Sequence, residues 1–342
     1  MKSVMKFMMS SSVRLKMVGA GVVLVAAVGV VVFMVNKHVH KLQLATTEGV
    51  VAILREYALT YDIDARSVHS GRPINTDLNV TGFDIIKAKI ASAVALEKPI
   101  QFSLVGFPYK SQNTAKKVVV ARFDAADAYA LTYINSLLEK IAKLHKPGAQ
   151  LTLFIEGMLF CDVQGVSDLT VADYENALKA YVKKLPRIHV VALSDLLPQK
   201  TPNEMRAAVG KMAPSYTEFE AKRVHDRGLQ KEVGLMEKRL QLEFDYPGAR
   251  LPGSVHTMAK QLIHRSMQFS AFLKSFRPPE GIRLSAHYSS DVLVKLGIKF
   301  SPNSFITPWH GVLVRDQSGK LSIKHRMDIV GGEMVVFIQA MQ

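Results

Sequence analysis

Apolar and polar positions follow two different periods along the chain, and their order predicts alternating strands and helices. Three short segments are almost continuously apolar, as buried strands are: PIQFSLVGF, AQLTLFIEGMLF and IHVVALSDLL. Between them, residues 124–144 and the segment VADYENALKAYVKKL place their apolar residues at helical spacing. This order predicts an α/β fold of Rossmann-like type, with a largely parallel sheet covered by helices.

The second half of the chain continues this pattern less regularly. Residues 198–216 contain three prolines and are expected to form a linker. Beyond them, Leu229, Val233, Met236 and Leu240 fall at helical spacing and predict a helix with a core-facing stripe. GIRLSAH and GVLVRD then predict two further strands.

The N-terminal region has a different pattern. Residues 17–35 are uninterruptedly apolar, and as a helix they would span roughly 28 Å, close to the ~30 Å hydrocarbon core of a bilayer. The sequence NKHVHKLQL after them has no small-residue cleavage motif, so we expect one uncleaved transmembrane helix. The chain therefore divides into a basic tail (1–16), a membrane anchor (17–35), a juxtamembrane helix and loop (36–81) and a globular domain (82–342).

Two features refine this division. Within the juxtamembrane segment, Val50, Ile53, Leu54 and Tyr57 form a short apolar helix face. Four basic residues precede the anchor and two follow it closely, which favours a cytoplasmic N-terminus and places the globular domain outside the cytoplasm.

Composition narrows the function. The chain has 342 residues, of which 48% are hydrophobic, enough for one large or two modest globular domains. A single cysteine, Cys161, excludes a disulfide framework within the chain and a multi-cysteine metal site. Six of the fifteen net positive charges lie in residues 1–41, and no arginine-rich run with interleaved aromatic residues follows. We therefore expect anionic small molecules as partners, and no nucleic acid.

Polar residues group at the ends of the predicted strands. The groups are Tyr109, Lys110, Ser111 and Asn113; Glu156, Asp162 and Asp168; and Arg283, Ser285, His287, Thr307, Trp309 and His310. Because ligands of open α/β sheets bind beyond the carboxyl ends of the strands, we expect these groups to form one site. Each residue also has a structural interpretation: Arg283 in a surface ion pair, Asp168 as a helix N-cap, and the histidines as hydrogen-bonded scaffold. The spacings favour neither a metal site nor a G-x-S-x-G serine hydrolase nor a P-loop.

Four motifs occur in a fixed order: GFPYKSQN, DVQGVSD, FRPPEGIRLSAH and TPWHGVLV. Together they resemble the pyoverdine/dityrosine biosynthesis family, the isocyanide (isonitrile) synthases, from residue 95 to the C-terminus. The F-P-x-K-S-x-N loop, the I-R-L-S-x-H strand end and the T-P-W-H-G turn carry most of this resemblance. It implies that residues 82–342 form an isocyanide-synthase-like catalytic domain.

The resemblance also implies a reaction. The amine of an aromatic amino acid, tyrosine or tryptophan, would become an isocyanide, with ribulose 5-phosphate as the carbon donor and no metal or redox cofactor. An iron/2-oxoglutarate oxygenase is the expected pathway partner. Because ribulose 5-phosphate is cytosolic, we expect a single-pass membrane protein whose catalytic domain faces the cytoplasm, against the charge count around the anchor.

Site roles follow from the same resemblance. The expected substrate-binding residues, which hold the phosphate, the carboxylate or the aromatic ring, are Lys110, Ser111, Asn113, Asp162, Asp168, Arg283 and Trp309. The expected catalytic residues are His310, His287 and Lys110; the two histidines are the candidates for proton transfer, because imidazoles titrate near the working pH.

One position departs from the family pattern. Its second strand usually ends S-D-G-R-x-F-[SN]-D, whereas this chain has IEGMLFCD, so that Glu156 keeps an acid while Met158 replaces the arginine. Loss of a substrate contact there would mean a different substrate or none. Two alternatives therefore stay open: an enzyme of the dityrosine type that forms N-formyl tyrosine, and a catalytically silent membrane-tethered homologue.

Overall fold

The computed structural model describes most of the globular part of the chain. The described residues are Met34, 37–59, 61–62, 72–73, 83–117, 122–286, 295–302 and 306–337. The helices are α1 (37–57), α2 (Phe83–Ala95), α3 (Ala125–Leu144), α4 (Gly157–Phe160), α5 (Asp168–Val182), α6 (Leu193–Leu196), α7 (Pro202–Gly210), α8 (Tyr216–His225), α9 (Arg227–Glu243) and α10 (Val255–Phe272). The strands are β1 (Tyr61–Asp62), β2 (Arg72–Pro73), β3 (Ile100–Val105), β4 (Ala149–Ile155), β5 (Ile188–Ala192), β6 (Ile282–Ser285), β7 (Lys295–Gly297), β8 (Val312–Arg315), β9 (Leu321–Lys324) and β10 (Met334–Val335). Turns of 3₁₀ helix span Leu273–Ser275, Pro308–His310 and Arg326–Asp328.

The centre of the molecule is a parallel sheet with the strand order β5-β4-β3-β6-β7. The predicted α/β fold with a parallel sheet is confirmed. The chain builds outward from β3 to β5, then returns to the other side of β3 with β6 and continues to β7. The strand order therefore reverses between β3 and β6, and the crevice beyond the carboxyl ends at such a reversal is where open α/β sheets bind ligands.

The two faces of this sheet differ in polarity. On one face Phe102, Leu104 and Leu153 are buried to 1% exposure or less, as expected for a parallel sheet under helices. On the other face Arg283 pairs in register with Ser103 on one side and with Lys295 on the other. That face therefore carries half-buried polar side chains in the middle of the sheet.

Helix α3 covers the apolar face, and a capping box fixes its N-terminus. The side chain of Asp124 caps the helix by accepting a hydrogen bond from the backbone N–H of Ala126. The side chain of Asp127 in turn accepts a hydrogen bond from the backbone N–H of Asp124. The helix packs against β4 and against β8. Strand β8 is the centre of a second, antiparallel sheet with the order β10-β8-β9.

The predicted linker over residues 198–216 is wrong. About half of it is helix α7, where Thr201 and Glu204 form a capping box and Pro202 occupies the first turn. Proline is tolerated there because the first N–H groups of a helix have no intrahelical partner. The predicted helix with the stripe from Leu229 to Leu240 is confirmed as α9.

Helix α1 packs into the same core as the central sheet. Its predicted apolar face, Val50, Ile53, Leu54 and Tyr57, is buried. Beyond the helix, the backbone N–H of Leu59 donates to the carbonyl of Gly297 at 2.8 Å. The end of α1 is thereby fixed to the edge strand β7.

No helix within the described ranges is both long enough and apolar enough to cross a bilayer. The basic tail (1–16) lies outside the described residues, as does the predicted anchor (17–35) apart from Met34.

Candidate active site

The loop after β3 (residues 106–113) and the turn 307–311 lie against each other at the carboxyl end of the sheet. The backbone N–H of Ser111 donates to the carbonyl of Trp309 at 2.9 Å. The Trp309 ring is buried, with its centroid 5.3 Å from that of Phe107 and 5.5 Å from that of Phe300. Gly106 permits this approach, because a Cβ there would lie 3.2 Å from the indole. Trp309 thus packs in the core rather than facing the cleft.

Lys110 lies in a buried polar network beneath this loop. Its ammonium group is 2.8 Å from Asp124 Oδ1, 2.6 Å from Asp127 Oδ2 and 2.8 Å from the carbonyl oxygen of Pro308. Burial lowers the pKa of Lys110, but the two carboxylates outweigh it and raise the pKa above its ordinary value.

Lys117 belongs to the same network. Its ammonium group lies 2.8 Å from Asp124 Oδ2 and donates to the carbonyl of Gly311. Burial and repulsion from Lys110 lower the pKa of Lys117 to about 7 despite the carboxylates. The two lysines thereby tie the turn 307–311 to the start of α3.

This geometry differs from the predicted role of Lys110 as a substrate clamp. An ammonium group has three donors, and all three are used within the protein. A side chain in this position supports the loop that carries Ser111 and Asn113 and has no donor left for a substrate.

Glu243, at the end of α9, gathers the polar side chains of the loop and the turn. Its carboxylate accepts a hydrogen bond from the hydroxyl of Ser111. It also forms an ion pair with Lys116, whose Nζ lies 2.6 Å from Glu243 Oε2. His310 Nε2 lies 3.8 Å from Glu243 Oε2. On its other side, His310 Nδ1 is 2.7 Å from the hydroxyl of Thr307, which fixes the ring orientation. We call Ser111, Lys116, Glu243 and His310 the Glu243 cluster.

Asn113 helps to hold this helix end in place. Its side-chain N–H groups donate to the carbonyls of Leu242 and Glu243, both at 3.0 Å. These carbonyls belong to the last turn of α9, where backbone acceptors lack intrahelical partners. Asn113 therefore positions Glu243 through the backbone.

A small open pocket adjoins the Glu243 cluster. Its lining residues are Tyr109, Ser111, Gln112, Gln164, Val166, Glu243, Phe244 and Tyr246. The hydroxyl of Tyr109 is buried and has no hydrogen-bond partner among the described residues. Burial raises the pKa of Tyr109, and the charges of Glu243 and Glu156 raise it further, so this hydroxyl stays protonated and able to donate.

Asp162 lies in the turn that follows β4 and α4, and Asp168 is the first residue of α5. Asp162 forms a two-point ion pair with Arg265, and Asp168 forms one with Arg206. Asp168 is in the first turn of α5 rather than at the N-cap, which is Ser167. The ion pairs connect the turn to α7 through Arg206 and to α10 through Arg265. The carboxylates of both aspartates are therefore bound to arginines of the protein itself.

Cys161 is a buried thiol directly before Asp162, and its Sγ lies 3.2 Å from Asp168 Oδ1. Burial and the hydrogen bond to Asp168 raise its pKa to about 12. A thiol with this pKa is protonated at neutral pH and is a poor nucleophile. Within the described ranges, no group of three or more His, Cys, Asp or Glu is placed to hold a metal ion.

The structure thus brings together some predicted residues and separates others. Ser111, Asn113 and His310 meet around Glu243, a residue that sequence reasoning missed because no motif marks the end of α9. Arg283 lies on the polar face of the sheet, outside the Glu243 cluster. His287 lies outside the described residues.

The chain is a mixed α/β protein with acid–base side chains grouped beyond the strand ends of its parallel sheet, where the strand order reverses, and α/β enzymes commonly bind their substrates at such a place. The chain belongs to the pyoverdine/dityrosine biosynthesis protein family, whose sequence model matches residues 90–249 and 227–336.

Its relatives support the same assignment. The chain is 28% identical over 263 residues to the L-tyrosine isonitrile synthase of Pseudomonas aeruginosa, covering 72% of this chain and 79% of the relative. It is 29% identical to the L-tryptophan isonitrile synthase AmbI2 of Fischerella ambigua (72% and 78% covered) and 31% identical to the L-tyrosine isonitrile synthase of Xenorhabdus nematophila (66% and 70% covered). The crystal structure of the PvcA protein from Pseudomonas aeruginosa has the same fold, with a TM-score of 0.69 at 22% identity, covering 84% of this chain and 98% of that one.

Proposed function

We propose that the chain is an isocyanide synthase that converts the amine of an aromatic amino acid, tyrosine or tryptophan, into an isocyanide. The observation that carries this proposal is its similarity, over most of the globular part, to tyrosine and tryptophan isonitrile synthases of three bacteria. We propose ribulose 5-phosphate as the carbon donor, as the sequence motifs imply. The amine nitrogen condenses with the ketone carbon with loss of water, and both carbon–carbon bonds of that carbon then break in acid–base steps, so that the two flanking parts of the sugar phosphate leave as separate fragments.

The Glu243 cluster supplies the acid–base groups for this reaction. His310 is 35% exposed and held by Thr307 and Glu243, which suits a group that exchanges protons with a substrate. Tyr109 and the neighbouring Phe244 and Tyr246 give the pocket aromatic walls that suit an aromatic side chain. His287 remains our second candidate for proton transfer.

The decisive experiment follows the donor carbon. Full-length protein in mild detergent is incubated with tyrosine or tryptophan and with ribulose 5-phosphate labelled at the ketone carbon. The proposal expects the label in an isocyano group, detected by mass spectrometry and carbon NMR at early times. Label in a formamide from the first time point would instead identify the N-formyl-tyrosine alternative. No label transfer to any aromatic amino acid by folded protein would leave the catalytically silent homologue.

Variants test the roles within the cluster. His310→Ala is expected to lower kcat by about 10²–10⁴-fold, the usual contribution of a general acid–base group, without loss of folded protein. His189→Ala is the matched control, because that exposed histidine lies on the far edge strand β5. Equal activity of the two variants would remove His310 from the mechanism.

We also propose that residues 17–35 anchor the protein in a membrane with the catalytic domain facing the cytoplasm. The uninterrupted apolar run supports the anchor, and the cytosolic origin of ribulose 5-phosphate supports the orientation. An iron/2-oxoglutarate oxygenase that processes the isocyanide is the proposed pathway partner. Protease protection of sealed vesicles tests the orientation: an accessible domain in inside-out vesicles is expected, and protection there would reverse it.

A further inference from the structure

Three cationic side chains gather on the polar face of the central sheet, apart from the Glu243 cluster. Arg283 in β6 and Lys295 in β7 are direct register partners, so their side chains point to the same face. Arg277 follows the 3₁₀ turn after α10, and its guanidinium carbon lies 5.6 Å from the ring centroid of Phe154 in β4. We call Arg277, Arg283 and Lys295 the basic cluster.

The basic cluster lacks the partners that buried cations normally have. Among the described residues, none of the three side chains makes a hydrogen bond or a direct ion pair, and Arg277 Nε is buried without any partner. Burial and the charge of Arg283 lower the pKa of Arg277 to about 10. Burial, followed by repulsion from Arg283 and Arg277, also lowers the pKa of Lys295. The surface ion pair considered for Arg283 from sequence is therefore absent in the part of the chain that the structure describes.

Two carboxylates act on the basic cluster without contacting it. Glu156, directly after β4, opposes the pKa shifts of Arg277 and Lys295, and the exposed Glu232 of α9 acts on Lys295. Glu156 is itself half-buried, and burial raises its pKa to about 7 although both cations lower it. At neutral pH, three cations beside one half-protonated carboxyl group leave a net charge of about +2.5 in a partly desolvated place.

We propose that Arg277, Arg283 and Lys295 form the subsite that binds the phosphate group of the phosphorylated substrate. A phosphate monoester carries about −1.5 to −2 charges at neutral pH, which matches the excess positive charge of the basic cluster. Guanidinium groups bind phosphate oxygens with two parallel N–H donors, and the buried Nε of Arg277 has such a donor free. Only the identity of the phosphorylated compound, ribulose 5-phosphate, rests on the proposed function.

The position of the basic cluster agrees with this assignment. Arg283 lies beside β3 at the reversal of strand order, on one face of the sheet, and Arg277 lies over Phe154 near the carboxyl end of β4, the end at which ligands of such sheets bind. Tyr109 is related to both the Glu243 cluster and the basic cluster. It lines the pocket beside Glu243, and the negative charge of Glu156 adds to burial in raising the pKa of its hydroxyl. The proposal places the phosphate of a bound substrate in the basic cluster and its reacting end toward the pocket.

The test measures binding of phosphate itself as well as turnover. Full-length protein is titrated with inorganic phosphate, ribulose 5-phosphate and unphosphorylated ribulose, by calorimetry and by thermal shift. The variants are Arg277→Gln, Arg283→Gln and Lys295→Gln, with Arg283→Lys as the conservative replacement. Arg187→Gln is the matched control, because this arginine lies at the opposite end of the sheet in an ion pair with Glu139.

We expect each Gln variant to bind phosphate and ribulose 5-phosphate about tenfold to a hundredfold more weakly, the value of one charge-assisted contact. Arg283→Lys should fall between the wild type and Arg283→Gln, and Arg187→Gln should bind as the wild type. Glu156→Gln should bind phosphate more tightly at pH 8, because it removes the opposing negative charge. Unphosphorylated ribulose should bind no better to the wild type than to the Gln variants.

Failure of the subsite and failure of the proposed function give different results. Unchanged phosphate affinity in all three Gln variants would overturn the subsite, even if isocyanide forms. If the variants bind phosphate more weakly and the wild-type protein forms no isocyanide from any amino acid, the subsite is supported and the synthase is refuted. If a Gln variant does not fold, the folded Arg283→Lys and Glu156→Gln proteins decide, since a purely structural cluster would leave their phosphate affinity unchanged.

Discussion

Lys110, and Lys117 when it is protonated, bring positive charge into the interior, where Asp124 and Asp127 offset it. Breaking such a pair by removing one partner costs about 3–5 kcal/mol, because the remaining charge stays buried without compensation. In this protein the loss would also free the turn 307–311, whose carbonyls accept from the two lysines. The network is therefore a support of the active-site loops, and its contribution should appear first in stability.

Lys110→Met is accordingly expected to lower the free energy of unfolding by about 3–5 kcal/mol, measured by urea denaturation. Lys140→Met is the control, because its ion pair with Glu56 is 46% and 58% exposed and should contribute less than about 1 kcal/mol. A Lys110→Met protein of normal stability that no longer binds substrate would instead support the role of substrate clamp that the sequence predicts.

The carboxyl group of Glu156 is expected to make stability depend on pH. Its pKa in the folded protein is about 7, above the ordinary value of 4.5, because of burial. Between these values the folded protein binds more protons than the unfolded chain, so stability falls as the pH rises from about 4.5 to about 7.

Glu156→Gln should therefore gain stability relative to the wild type at pH 8 and little at pH 5. Urea denaturation of both proteins from pH 5 to pH 8 measures the difference, which also cancels the titration of Glu175, another buried carboxyl group. A difference that stays constant across this range would show that Glu156 does not titrate there.

At the residue scale, the motifs predicted that Ser111, Asn113 and His310 lie close together, and the structure brings them together around Glu243. The motifs did so because these residues occupy loops at strand ends, whose position follows from the strand pattern. They could not identify Glu243, which arrives from a helix more than a hundred residues later in the chain. Nor could they show that Lys110 points into the interior, since burial of a lysine depends on carboxylates brought close only by the fold.

At the scale of the elements, hydrophobic period located the strands and long helices, since each buries a face with a regular spacing. It failed over residues 198–216, because a proline at the start of a helix cannot be told from a proline in a loop by sequence alone. The close contact of two turns was equally hidden. The Cα of Gly157 faces the carbonyl of Pro108 so closely that a Cβ would lie 1.9 Å from that oxygen.

Gly157→Ala should therefore push the turn after β4 away from the loop that carries Tyr109 and Ser111. We expect a loss of about 1–3 kcal/mol of stability from overpacking, together with lower activity of the folded protein. Gly210→Ala is the matched control, because nothing lies within 4 Å of a Cβ at that position. Equal melting temperatures of the two variants would show that the two turns separate without cost.

At the scale of the whole molecule, the packing of α1 sets the place where the chain can be shortened. Val50, Leu54 and Tyr57 are in the common core, and burial of each such side chain stabilises by about 1.5–3 kcal/mol. Removing residues 1–40 is expected to leave a folded, soluble domain, whereas removing residues 1–60 should give an unfolded or aggregated one. Circular dichroism and size-exclusion chromatography of both proteins check this, and two equally well-folded products would mean that α1 is dispensable.

The strand order has a consequence for the protein while it is being synthesised. Strand β3 pairs with β4 soon after both leave the ribosome, but its other edge is completed only by β6. The roughly 180 residues between Val105 and Ile282 take about 10–35 s to translate at ordinary elongation rates. During that time β3 presents an open, apolar edge, the kind of surface that holding chaperones cover and that neighbouring nascent chains join in misassembly. Slow translation after β5 would lengthen this interval, so the yield of native enzyme should depend on the elongation rate of the second half of the message.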